Sequence, residues 1–243
     1  MAWKLYIVRH CQPASSVAGY KGGDDAPLSE HGLLQAEYVA ARMKQWGIQR
    51  MYSSSLLRVL QTAEAIQRHT GTDWHIWPAL SEVPGRGNWP KLREKGIVAH
   101  DYRSNVELHN SLEHQYPEHI VSHPKVKFSQ PFEPSRQWSC SVSETREQSY
   151  HRAEIVLEEL RKRYWGTNSA IAVVCHGAFG SILLTLLNES SPCDYNRFNQ
   201  AHGAISRVDF DNDWANGQYG PAIRFTNDRS HFPDEVVTEG VLP

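Results

Sequence analysis

The sequence predicts an α/β fold: a three-layer α/β/α sandwich around a mostly parallel central sheet, with an inserted cap segment. Three observations predict it. Leu5-Tyr6-Ile7-Val8 and Ala170–Cys175 are short, wholly apolar runs, as expected of strands buried on both faces of a sheet. Strand-like and helix-like segments alternate over most of the chain, the pattern that puts helices on both sides of parallel strands. Both apolar runs also stop at the same chemistry, Arg9-His10 after the first and His176-Gly177 after the second.

The elements follow in order. After His10 comes a loop rich in Gly and Asp between Gly19 and Pro27. Ser29 is placed to cap a helix whose apolar positions Leu33, Ala36, Val39 or Ala40, Met43 and Trp46 recur every three to four residues, and Gly47 ends it. A second strand is expected near Arg50–Ser53. A helix should then run from about Ser55 to His69, with Gly71 behind it, and Trp74–Trp77 alternates as a third strand. Between about residues 84 and 138 the periodicity fails, apart from a helix-compatible stretch near Lys91–Leu108. This segment is read as a cap within a single domain spanning residues 1–243. Order returns with a helix of about Ser143–Trp165, its face carrying Ile155, Val156 and Leu160. The strand Ala170–Cys175, a helix around Ala178–Leu187, and strands near Ile205–Phe210 and Ala222–Phe225 close the pattern.

Bulk properties narrow the function. Of the 243 residues 40% are hydrophobic and 21% charged, an ordinary globular balance. A net charge of −2 gives no electrostatic reason to expect a nucleic-acid or membrane partner, so any anion site must be built locally. Cys11, Cys140, Cys175 and Cys193 stand at wide spacings with no C-x-x-C pair, which suits reduced thiols in a cytoplasmic protein. No run approaches the roughly 18 to 20 apolar residues of a membrane span. The triplet Asn188-Glu189-Ser190 is read as a chance match to a glycosylation site.

The ends of the strands carry the chemistry. Ligands in parallel sheets bind beyond the carboxyl ends of the strands. There the sequence puts Arg9 and His10, His176, and Arg58 early in the helix after Ser53-Ser54-Ser55. Two guanidinium groups and two imidazoles on one edge make a cationic pocket. Arginine's planar fork matches phosphate oxygens two at a time and keeps its charge at any working pH. A phosphate dianion is the natural guest.

These residues sit in stretches that resemble the histidine phosphatase (phosphoglycerate mutase-like) superfamily. Ile7-Val8-Arg9-His10 followed by Pro27-Leu28-Ser29-Glu30-His31-Gly32 is similar to its opening signature. So are the run from Ser53 through Arg58 to Ala63 and Val173-Val174-Cys175-His176-Gly177. Ser81-Glu82-Val83-Pro84 resembles the segment supplying the family's acid, and Glu144-Thr145 with Arg152 resembles the start of its later helix. The resemblance implies a phosphomonoester hydrolase that needs no metal or cofactor and acts on a small phosphorylated molecule or a phosphoprotein. His10 would be the nucleophile, forming a phosphohistidine, with its other ring nitrogen donating to a carbonyl. Glu82 would be the acid and base, and Arg9, Arg58 and His176 would hold the phosphoryl oxygens. Ser16 stands where the family often has an Asn that contacts phosphate. Cys11 and Pro13 depart from the family's usual residues.

Four other readings compete. The spacing Cys140-x5-Arg146 matches a cysteine-based phosphatase, but this loop has no glycine and places Glu144 where it would repel phosphate. His109, His114, His119 and His123 crowd one segment without aligning on a helix face, so a metal site is not expected. A phosphoglycerate-type mutase would carry Arg-His-Tyr-Gly after the acid, where this chain reads Val83-Pro84-Gly85-Arg86-Gly87. A non-catalytic phosphate-binding member would be expected to lose one of the five main groups, and all five are present.

Overall fold

The computed structural model describes residues 2–22, 25–83, 118–128, 146–190, 198–211 and 221–238. Among them, seven strands form one sheet: β1 (Ala2–Arg9), β2 (Arg50–Ser53), β3 (Asp73–Ile76), β4 (Val126–Phe128), β5 (Ala170–Cys175), β6 (Ile205–Asp211) and β7 (Ala222–Asp228). Their order is β4-β3-β2-β5-β1-β6-β7. The pairs β1–β5, β2–β5, β2–β3 and β3–β4 are parallel, and β6 runs antiparallel to both its neighbours. Among the described residues the helices are α1 (Glu30–Gln45), α2 (Leu57–Thr70), the single turn α3 (Glu118–Val121), α4 (Arg146–Tyr164) and α5 (Gly177–Leu187).

Alternation along β1 shows why helices cover both faces. Trp3, Leu5 and Ile7 bury against a cluster that includes Val156, Leu160, Phe179 and Leu183 of α4 and α5. Tyr6 and Val8 bury against Ala36, Val39, Leu60 and Ala63 of α1 and α2. A strand covered on both sides must be apolar on both faces, as β5 is throughout and β1 is from Leu5 to Val8.

The local signals locate most elements. The Ser29 hydroxyl accepts from the Gly32 N–H at 2.9 Å and caps α1. Gly47 and Gly71 behind the helices take φ of +65°, the left-handed conformation glycine tolerates best. Three expectations need correction. Leu33 does not face the core: it is 48% exposed, and Gly32 and Gln35 take the inward positions. A Cβ on Gly32 would lie 2.0 Å from the Gln12 carbonyl oxygen, so α1 docks onto the loop after His10 at its glycine. Second, α2 begins at Leu57, not Ser55. Its first N–H donates at 2.8 Å to the Asp25 carboxylate, a cap supplied from a distant loop. Third, within the aperiodic stretch, residues 126–128 pair with β3 as the edge of the sheet. The helix expected near Lys91–Leu108 and the residues Cys140, Cys193, Glu144 and Thr145 lie outside the described residues. Among the described residues no helix is long and apolar enough to cross a membrane.

The topology fixes where a site can form. β1 and β5 are neighbours, but the chain leaves β1 toward α1 on one face and leaves β5 into α5 on the other. The crevice opened by such divergent connections is where ligands bind in sheets of this kind. Arg9 is in register with Cys175, and the His10 N–H donates to the Cys175 carbonyl at 3.0 Å. His10 and His176 therefore emerge side by side.

Candidate active site

Four of the expected groups converge directly. The His10 and His176 ring centroids are 5.3 Å apart. Arg58 bridges them: its Nε donates to His10 Nε2 at 3.2 Å and its Nη2 to His176 Nδ1 at 3.4 Å. Arg9 follows in the chain, buried beneath the same edge, and its Nη1 donates to the Gln200 carbonyl at 2.6 Å. Glu82 approaches from the segment after β3. Its Oε1 accepts from the Val83 N–H at 3.0 Å and from the Phe179 N–H, in the first turn of α5, at 3.1 Å. Ser16 stands exposed in the single turn Ala14–Ser16, its backbone N–H bonded to the Pro13 carbonyl.

Hydrogen-bond partners decide the tautomers. His10 Nδ1 lies 2.7 Å from the Cys11 carbonyl oxygen, which can only accept, so Nδ1 carries the proton. Nε2 is left with a lone pair, and Arg58 points a donor at it. At His176 the Arg58 donor makes Nδ1 the acceptor, so Nε2–H donates to the Ser54 hydroxyl at 2.9 Å. Charge reinforces the assignment. Burial, then the neighbouring Arg58 and Arg9, hold both imidazoles well below the usual histidine range, so both are neutral near pH 7. Burial pushes the Glu82 carboxyl above its ordinary value, opposed by the Val83 N–H, the two arginines and the Phe179 N–H. Cys11 is buried with its thiol pushed up to about 12, which leaves it unreactive.

Several supporting residues were given no role at the site by the sequence, although Arg152 stood in one of the family-like stretches. His202 Nε2 lies 3.2 Å from Arg9 Nη2, and its ring centroid is 5.7 Å from that of His10. It reaches the site because β6 is antiparallel to β1, which brings the start of β6 to the carboxyl end of β1. The signal available was His202-Gly203 just ahead of the strand Ile205–Asp211. Thr62 accepts from the Cys11 N–H at 3.1 Å and donates to the Arg58 carbonyl at 2.8 Å, joining the His10 loop to α2. Asp25 lies 4.0 Å from Arg58 Nη1 while capping α2. Arg152 is buried and donates to the Ala79 and Ser81 carbonyls at 2.7 and 2.8 Å, gripping the chain just before Glu82. Of the crowded histidines, His119 pairs with Glu64 and His123 accepts from the Lys125 N–H; His109 and His114 lie outside the described residues.

Comparison with known proteins places this arrangement. The chain is 28% identical to the "Probable phosphoglycerate mutase GpmB" of Proteus mirabilis over 97% of its own length and 98% of that protein. It is also 28% identical to phosphoserine phosphatase 1 of Hydrogenobacter thermophilus, over 71% of this chain and 70% of that one. Among solved structures, the phosphoserine phosphatase of Entamoeba histolytica in complex with 3-phosphoglyceric acid superposes with a TM-score of 0.60 at 20% identity, covering 94% of this chain and 98% of that one. That likeness speaks for the fold. A sequence model of the histidine phosphatase superfamily (branch 1) matches residues 5–217, from the strand that delivers His10 to beyond the strand that follows His202. The chain therefore belongs to the histidine phosphatase superfamily.

Proposed function

We propose that this protein is a phosphomonoester hydrolase working through a phosphohistidine on His10, without a metal ion. One observation carries the reading: a buried, neutral imidazole whose Nδ1–H is fixed by the Cys11 carbonyl and whose Nε2 lone pair faces Arg58. That is the state a nitrogen nucleophile requires. Arg58 passes its N–H from the ring to a phosphoryl oxygen as substrate enters, and Arg9, Arg58 and His176 hold the phosphoryl group. The lone pair of Nε2 forms the N–P bond as the ester P–O bond breaks. Glu82 delivers its proton to the departing oxygen, so product leaves as an alcohol. Its Oε1 is held by two N–H groups, which makes Oε2 the proton-carrying atom. Water then attacks phosphorus, the Glu82 carboxylate takes its proton, and the N–P electron pair returns to Nε2. A substrate dianion balances the two guanidinium charges best when Glu82 is protonated, the form its burial favours.

The substrate is a small phosphorylated molecule, with a phosphoprotein as the alternative, and we place the protein in the cytoplasm with its thiols reduced. The whole chain acts as a single domain, with a cap over about residues 84–138 setting specificity. The test is release of inorganic phosphate from an aryl phosphate in EDTA by the wild type and by His10→Ala. Turnover lost in the variant supports the reading; equal turnover in both overturns it. A second reading, return of the phosphoryl group to substrate as in a mutase, draws on the relative from Proteus mirabilis. It predicts phosphoryl movement between positions of a sugar acid in excess over phosphate release.

A further inference from the structure

Arg9 is useful to a phosphate clamp only if its guanidinium is held in one plane. Its Nη1 donates to the Gln200 carbonyl at 2.6 Å and its Nη2 meets His202 Nε2 at 3.2 Å. A guanidinium has no acceptor, so Nε2 must carry the lone pair and Nδ1 the proton. His202 Nδ1 lies 3.4 Å from the Thr238 hydroxyl oxygen, which accepts that proton. Thr238 is itself fixed, since Gln35 Nε2 donates to its hydroxyl and to the Val236 carbonyl, each at 2.9 Å. His31 Nε2 adds a third bond, to the Val236 carbonyl at 3.0 Å. The same Gln35 accepts from the Gln12 N–H at 2.9 Å through its Oε1. One short segment after Pro233 thus reaches the site along two paths, one through His202 to Arg9 and one through Gln35 to the His10 loop.

We propose that His202 is a positioning residue that orients the Arg9 guanidinium for phosphate, and that Thr238 selects the imidazole tautomer this requires. His202 is not a direct phosphate donor. Nε2 is occupied by Arg9 and Nδ1–H by Thr238, and the ring is only 5% exposed. In the opposite tautomer an Nε2–H would face the guanidinium, donor against donor, and turn it away. The proposal rests on the reading that Arg9 holds phosphoryl oxygens.

The experiment is calorimetric titration of inorganic phosphate into the full chain and its His202→Ala, His202→Gln and Thr238→Val variants. Thermal unfolding and aryl phosphate turnover are measured alongside. His202→Ala should bind phosphate about tenfold more weakly, the scale of one charge-assisted hydrogen bond. His202→Gln, whose amide oxygen can accept from Arg9, should recover to within about threefold. Thr238→Val should weaken phosphate by a few-fold while still unfolding cooperatively. In ¹⁵N spectra its His202 should lose the single Nδ1–H tautomer of the wild type. Unchanged phosphate affinity in both His202→Ala and Thr238→Val overturns the proposal, as does a glutamine variant no better than alanine. If His202→Ala does not fold, the other two variants decide. A wild type that fails to bind phosphate overturns this proposal. The expected affinity pattern without turnover by the wild type leaves His202 in its role and removes the hydrolase reading instead.

Discussion

At the scale of single residues, the site separates groups that must be neutral from groups that must be charged. Arg58 contacts both imidazoles, so Arg58→Ala should lower kcat/KM by about 10²–10³, as loss of a preorganised donor does. Lysine should recover little, because a point charge cannot span two acceptors. An Arg58→Lys protein as active as the wild type would contradict the bridging geometry. Glu82 predicts a leaving-group effect. Glu82→Gln should lose about 10²–10⁴ in kcat/KM, which reports the phosphorylation step, on alkyl phosphates and much less on nitrophenyl phosphate, whose leaving oxygen needs no proton. A uniform loss would argue against a proton donor at this position. The pH profile follows from directions. The His10 lone pair exists above its lowered pKa, so the acid limb lies well below the ordinary histidine range. Protonated Glu82 is lost as pH rises through its raised pKa, so phosphorylation declines from the alkaline side. Arg9, His10, Arg58, Glu82 and His176 were legible because each sits in a motif at an element's end. Asp25, Thr62 and His202 were not, because each acts on a residue brought to it only by folding.

Elements supply the rigidity these residues need. Arg152 of α4 clamps the Ala79 and Ser81 carbonyls and lies over the Phe179 ring at 4.3 Å, tying Glu82 to both helices on that face. Arg152→Ala should cost about 3 kcal/mol by leaving buried carbonyls unpaired, and should lower kcat along with stability in denaturant titrations. A variant that loses stability but keeps kcat would limit Arg152 to packing. Asp25→Ala should cost about 1 kcal/mol as a lost cap and also weaken phosphate binding, because α2 carries Arg58. Helix signals in the sequence were reliable where capping was local, as at Ser29. They failed at Ser55, where a distant carboxylate does the capping. β4 was illegible for a related reason: three residues at a sheet edge give too short a period to read, and pairing with β3 makes the strand.

For the whole molecule, the buried imidazoles tie stability to pH. His10, His176, His202 and His231 are all held below the usual histidine value by burial, His202 to about 3 and His231 to about 4. Below about pH 6.5 the unfolded chain binds protons that the native chain refuses, so stability falls as pH drops toward the native values. Glu82 has the opposite sign, and four imidazoles outweigh it. Tm should therefore drop by several degrees between pH 7 and pH 5, and a flat Tm would contradict the neutral assignments. The fold was legible as a whole because buried parallel strands must be apolar throughout, and because the divergence of chain at β1 and β5 places two strand-end histidines in one crevice. The most direct measurement is to mix the protein with an aryl phosphate, quench within milliseconds, and locate any added phosphoryl group by mass spectrometry of the digest. An acid-labile, base-stable adduct is expected on His10, accumulating in Glu82→Gln, where water attack is slowed. Turnover with no adduct on His10, or an adduct on another residue, would contradict His10 as the nucleophile.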